Sequence, residues 1–135
     1  PEVVTARYGY VTGRAVEDNA VVTLSTAGGG IGVVEAGFVT PTSPFSNEVH
    51  GTKGTLLFGT PEPKLLYRAA GASGWEERMI PEDQPAAFAQ WVGHIQQGTV
   101  GTANVQAALD LTKLMEAANL SAASGKAVRV DSLQA

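Results

Sequence analysis

The period of the apolar residues changes once along this chain, at Pro81-Glu82-Asp83-Gln84-Pro85. Before that point, apolar and polar residues follow the two-residue alternation of strands. After it, they recur at the 3.6-residue spacing of helices. A run of strands followed by a run of helices does not make the alternating units of a parallel sheet. The order predicts an α+β fold, a largely antiparallel open-faced sheet with two C-terminal helices packed on one face.

Val3 to Val11 reads as the first strand. Asp18 to Thr26 alternates, with Ala20, Val22 and Leu24 on one side and Asn19, Val21, Thr23 and Ser25 on the other. Gly28-Gly29-Gly30 then turns into Ile31 to Thr40, where Ile31, Val33, Glu35 and Val39 share a side. The glycine run is no dinucleotide loop. The third glycine of a G-x-G-x-x-G would fall at Val33, and a strand, not a helix N-terminus, follows.

Pro41-Thr42-Ser43-Pro44 breaks the strand pattern. Two β-prone runs, Phe45–His50 and Thr55–Phe58, then flank Gly51-Thr52-Lys53-Gly54, which predicts a hairpin. Lys64–Ala69 and Trp75–Ile80 form a last strand pair across Gly71 to Gly74.

In the helical part, Glu82 and Asp83 are placed as favourable charges at a helix N-terminus. Phe88, Trp91, Val92 and Ile95 follow at helical spacing, and Gly98 marks the stop. Asn104 is the expected N-cap of a second helix reaching about Ser124. Its expected apolar stripe is Leu111, Leu114, Met115, Ala118 and Ala122, with Gly125 as the C-cap. Ala127 to Val130 returns as a short edge strand.

A length of 135 residues suits a single domain, and such a chain buries roughly two-thirds of its unfolded surface. Nine basic against thirteen acidic residues give a net charge of −4, with no basic cluster, so nucleic acid is not an expected partner. The absence of cysteine excludes disulfides, thiolate metal sites and a cysteine nucleophile, and fits a cytoplasmic protein. No apolar run is long enough to span a membrane.

Complete catalytic constellations are missing from the pattern. His50 and His94 have no neighbouring metal-ligand spacing, so no metal site is expected. The adjacent acids Glu17-Asp18 and Glu76-Glu77 point to opposite faces of their strands and form no dyad. No serine has the G-x-S-x-G setting of a nucleophile elbow. His50 shares one side of its strand with Ser46 and Glu48, a polar row that reads equally as solvated surface or as a functional wall. Glu35, set among Val34, Ala36 and Val39, marks the less buried face of its sheet.

Several segments in order carry a family resemblance. They are Val16-Glu17-Asp18-Asn19-Ala20, then Gly32-Val33-Val34-Glu35-Ala36, then Phe45-Ser46-Asn47-Glu48-Val49-His50-Gly51-Thr52-Lys53-Gly54-Thr55-Leu56. The helical half adds Phe88, Trp91, Val92, Ile95 and Gly98, followed by Leu114-Met115-Glu116-Ala117-Ala118 and Ser121-Ala122 with Gly125-Lys126 and Val128. Together they resemble the C-terminal α+β domain of the Gfo/Idh/MocA oxidoreductases, the glucose–fructose oxidoreductase and inositol dehydrogenase group. Its fold is like the C-terminal domain of glyceraldehyde-3-phosphate dehydrogenase.

The resemblance implies a parent enzyme in which an N-terminal Rossmann domain binds NAD(P) and hydride passes to or from a sugar or polyol. That domain, the family's catalytic lysine and its Asp-x-x-x-His pair have no counterpart in this chain, which opens at Pro1 inside a strand-like run. The chain is therefore expected to lie downstream of them, to hold no cofactor or catalytic residue of its own, and to be inactive alone. Thr42, Ser43, Phe45 and His50 are the substrate-binding candidates that the resemblance suggests. Val21, Thr23, Val33, Glu35 and Glu48 are the candidates for a sheet-face interface between copies. The alternative is a non-catalytic interaction module that self-associates through that open face.

Overall fold

Strand β1, Val3–Gly9, carries alternate residues into the core, with Val4 and Ala6 buried and Thr5 and Arg7 exposed. It belongs to the first of two compact units in a computed structural model that describes residues 1–39, 42, 45–59 and 62–133. The first unit comprises Pro1–Pro41 and Phe88–Ala135, the second Thr42–Ala87. The strands accordingly divide between two four-stranded sheets, where the sequence pattern predicts one. The class is α+β, as expected, and among the described residues every strand pairing is antiparallel.

In the first unit β1 pairs with β2 (Asn19–Ser25), which pairs with β3 (Ile31–Gly37). The turn between β2 and β3 uses Gly29 at φ 80°, where a side chain would be strained, and the Gly29 amide donates to the Thr26 carbonyl at 2.9 Å. The glycine run thus joins strand to strand, as its context predicts. On the far side of β1 lies a two-residue strand, β8 (Val128–Arg129), the edge strand that the C-terminal sequence suggests.

Helix α2, Thr102–Ser124, covers one face of this sheet. Its buried positions are Ala117, Ala118 and Ser121, flanked by half-buried Leu114 and Ala122. They recur at three- and four-residue steps, so the stripe is helical in period but turned from the predicted one. Leu111 and Met115 are exposed, because the small side chains of Ala117, Ala118 and Ser121 let the helix settle on β1. Asn104 is not the N-cap either. Gly101 takes that position without a side-chain bond, and Asn104 falls inside the first turn. Gly125 does end the helix in a left-handed conformation, its amide donating to the Ser121 carbonyl at 2.8 Å.

Helix α1, Ala87–Gln97, buries none of its residues, and Phe88, Trp91 and Ile95 stay exposed. The expectation of two helices packed on the sheet therefore holds for α2 alone. Glu82 and Asp83 lie before the first turn of α1 and not within it, since the helix starts only after Pro85. Gly98 ends α1 at φ 64°. His94 closes the same end: Thr99 Oγ1 lies 2.8 Å from its Nδ1, and the Thr99 amide donates to its carbonyl.

The second unit is the meander β4 (Ser46–Gly51), β5 (Gly54–Gly59), β6 (Lys64–Ala69) and β7 (Glu76–Arg78). Gly51 pairs with Gly54, so Thr52 and Lys53 make a two-residue turn. Neither has positive φ; Gly54, at φ 153°, absorbs the backbone twist instead. A Cβ there would press on the Arg68 carbonyl and the Tyr67 ring. The Lys53 carbonyl accepts from the Ala70 amide at 3.0 Å and from the Tyr67 hydroxyl at 3.3 Å, tying the hairpin tip to β6.

Candidate functional site

The two units each present one surface on which chemistry-bearing residues converge. In the second unit, register decides which ones meet. His50 on β4 pairs with Thr55 on β5, and Thr55 pairs with Arg68 on β6; Glu48 pairs with Leu57 beside them. All five line one open cleft of about 370 Å³ that also touches Trp75. Leu57 and Trp75 supply apolar surface, and the other four supply polar groups.

Within the cleft, His50 Nε2 lies 3.3 Å from Glu48 Oε2, while Thr55 Oγ1 lies 3.4 Å from His50 Nδ1. With the proton on Nε2, the ring donates to Glu48 and accepts from Thr55. Arg68 donates its Nε–H to the Ala72 carbonyl at 3.0 Å. Among the described residues no carboxylate pairs with Arg68. The cleft thus sets hydrogen-bond donors and acceptors beside apolar surface. Among the described residues no group of three or more His, Cys, Asp or Glu could hold a metal ion.

The sequence candidates do not all arrive here. His50 does, and Glu48 joins it in the cleft, away from the other interface candidates on the first sheet. Phe45 sits edge-on to Phe58, ring centroids 6.1 Å apart, and Phe58 alternates with Leu57 onto the opposite face of β5. Thr42 is exposed in the coil before β4, and Ser43 lies outside the described residues. Thr55, Arg68 and Trp75 were missed. Their strands were legible, but the register that aligns Arg68 with Thr55 and His50 was not.

In the first unit, register groups Val21, Thr23, Val33 and Glu35 on the sheet face that α2 does not cover. Thr23 pairs with Thr5 and Val33, and Val21 with Arg7 and Glu35. Val33 is 65% exposed and Ile31, on the same side of β3, 81%. The four interface candidates thus share one open, partly apolar face.

At the end of that sheet, the fully buried Asp18 organises the β1–β2 connection. Its carboxylate accepts from the amides of Val11 (3.0 Å) and Thr12 (2.6 Å), the Thr12 hydroxyl (2.7 Å) and the Asn19 amide group (2.8 Å). The bonds from Thr12 above all hold its pKa down, from the ordinary 3.8 to about 2, against the opposing effect of burial. Read from sequence, Asp18 was half of an unpaired acidic doublet. The signal for its role is the Thr12-Gly13 turn six residues upstream, which offers amides to a carboxylate entering the next strand.

Residues 1–57 match the family model described as the GFO/IDH/MocA C-terminal domain. The resemblance to that domain holds over these residues. No curated protein matches the chain in sequence. Among solved structures, an oxidoreductase from Agrobacterium radiobacter in complex with NAD+, L-tartaric acid and magnesium aligns over 98% of this chain at 22% identity, with a TM-score of 0.74. Levoglucosan dehydrogenase in complex with NADH and levoglucosan aligns over 95% at 17% identity and a TM-score of 0.75. An oxidoreductase domain protein from Kribbella flavida aligns over 96% at 21% identity and a TM-score of 0.72. The chain spans 44% of the length of each of these three. At such identities the likeness is one of fold. No described helix is long and apolar enough to cross a membrane.

Proposed function

We propose that this chain is the substrate-binding and oligomerisation domain of an NAD(P)-dependent oxidoreductase acting on sugars or polyols. The observation that carries the reading is the match of residues 1–57 to the GFO/IDH/MocA C-terminal domain. The fold similarity over nearly the whole chain to oxidoreductases with NAD+ or NADH bound supports it. In this reading a separate Rossmann domain holds the nicotinamide and supplies the catalytic groups. The Gly28–Gly30 turn joins two strands and has no helix N-terminus to aim at a pyrophosphate. The polar cleft of the second unit, together with Thr42, Ser43 and Phe45, serves substrate, while the open sheet face serves a second copy. Lack of cysteine supports a cytoplasmic setting, and the scattered basic residues argue against a nucleic-acid partner.

The test is to assay the complete protein that carries this chain for NAD+ or NADP+ reduction with a panel of sugars and polyols. No reduction with any of them overturns the enzymatic reading.

The exposed Val21, Ile31 and Val33 favour a second reading, a non-catalytic module that self-associates through the open face. Thr42→Ala and Ser43→Ala in the complete protein separate the two. A raised KM supports the substrate role, whereas an unchanged KM leaves assembly as the function of this chain. Val33→Glu tests assembly itself: sedimentation should show a smaller species than the unaltered protein, and a protein already monomeric would remove that role.

A further inference from the structure

The cleft on the second sheet is polarised from one strand to the next. Arg68, Thr55 and His50 lie directly across from one another on β6, β5 and β4. Strands spaced about 4.8 Å apart put the outer two backbones about 10 Å from each other. That span accommodates a short carbon chain.

The two ends ask for different chemistry. At the β6 end, the bond from Arg68 Nε to the Ala72 carbonyl fixes the plane of the guanidinium. Its terminal amino groups form a fork suited to a carboxylate, and the Thr55 hydroxyl beside it adds a donor. At the β4 end, the Glu48 carboxylate oxygens are acceptors, and the His50 ring nitrogen lies against one of them at 3.3 Å. Such groups pair with hydroxyls and would repel a second carboxylate. Between the ends, Leu57 and Trp75 provide apolar surface for carbon-bound hydrogens.

We propose that this cleft binds a small hydroxylated carboxylate of the sugar-acid class. Its carboxylate lies on Arg68 and Thr55, its hydroxyls on His50 and Glu48, and its carbon chain against Trp75. A neutral polyol would leave the Arg68 fork unused, and inorganic phosphate would leave the Glu48 end unused. The inference deepens the substrate-binding reading and rests on it for its place in a reaction; the binding itself is argued from the cleft.

Calorimetric titration of the 135-residue chain with D-gluconate, D-glucitol and inorganic phosphate tests it. Gluconate should bind saturably and at least about tenfold more tightly than glucitol, the worth of one charge-assisted hydrogen bond. Arg68→Gln should weaken gluconate by about tenfold or more and leave glucitol unchanged. Trp75→Ala should weaken both sugars, with the circular dichroism of each variant unaltered. Equal affinity for gluconate and glucitol, phosphate binding without gluconate binding, or gluconate binding indifferent to Arg68→Gln would each overturn the proposal. So would the absence of saturable gluconate binding; nicotinamide reduction by the complete protein would then leave the wider reading standing. Gluconate binding as described, with no oxidoreductase activity in the complete protein, would support this site and remove the wider reading instead.

Discussion

The Ala6 amide donates to Ser121 Oγ at 3.0 Å, across 115 positions of sequence. The same hydroxyl donates to the Lys126 carbonyl at 2.6 Å. Strand β8 pairs Val128 with Val4, so continuing the ladder would place Lys126 opposite Ala6. The strand stops short, and the Ser121 hydroxyl stands between the amide and the carbonyl that a longer strand would have joined. One side chain thereby locks α2 to β1 and satisfies a buried backbone donor.

Replacing Ser121 by Ala leaves the Ala6 amide buried without a partner. We expect a loss of about 1–3 kcal/mol in urea unfolding, the cost of an unsatisfied buried polar group. Hydrogen exchange at Ala6 should accelerate more than at its neighbours in β1. An unchanged urea midpoint would show that water or the backbone takes over the bond.

Asp18 makes stability depend on acid. Its pKa is depressed in the folded chain, so its contribution is full above the ordinary 3.8 and is lost as pH falls toward about 2. Thermal unfolding followed across that window should show Asp18→Asn less stable than the unaltered chain at neutral pH and losing less on acidification. Parallel pH curves for the two proteins would contradict this.

Gly54 sets the twist of the β4–β5 hairpin. Gly54→Ala imposes a disfavoured φ and brings a methyl against the Arg68 carbonyl, so a loss of more than about 1 kcal/mol is expected. The methyl signals of Leu57 and the ring signals of Trp75 should shift with it, because the hairpin carries one wall of the cleft. Differential scanning calorimetry together with these NMR signals provides the check.

The rotation of the α2 stripe gives a paired test. Ala117→Leu, at a position buried in the structure but outside the stripe expected from sequence, should overpack the core against the sheet and cost about 1–3 kcal/mol. Met115→Ala, on the exposed side, should stay within about 0.5 kcal/mol of the unaltered chain. The reverse ranking in chemical denaturation would restore the stripe read from sequence.

Side-chain type alone does not fix which position packs, caps or meets a neighbour. Leu111 and Met115 looked like core because they are large and apolar, but Ala117, Ala118 and Ser121 are the residues small enough to meet β1. Asn104 looked like a cap because its side chain suits one, yet Gly101 occupies the start of α2. His50 could be placed on a polar row with Glu48, but its approach to Thr55 and Arg68 needed the register of three strands. The role of Asp18 depends on the Val11 and Thr12 amides folding back onto its carboxylate.

Local periodicity and turn chemistry determined, from sequence alone, the strands-then-helices order, the glycine turns at Gly28–Gly30 and Gly51–Gly54, the Gly125 cap and the α+β class. Those properties depend on residues within a few positions of each other, and backbone sterics translate them directly. The division into two sheets, the helix face that packs, the Ser121 bridge and the alignment of Arg68, Thr55, His50 and Glu48 were decided by the tertiary structure. They join groups that are distant along the chain, and only strand pairing and close packing bring such groups within hydrogen-bonding range.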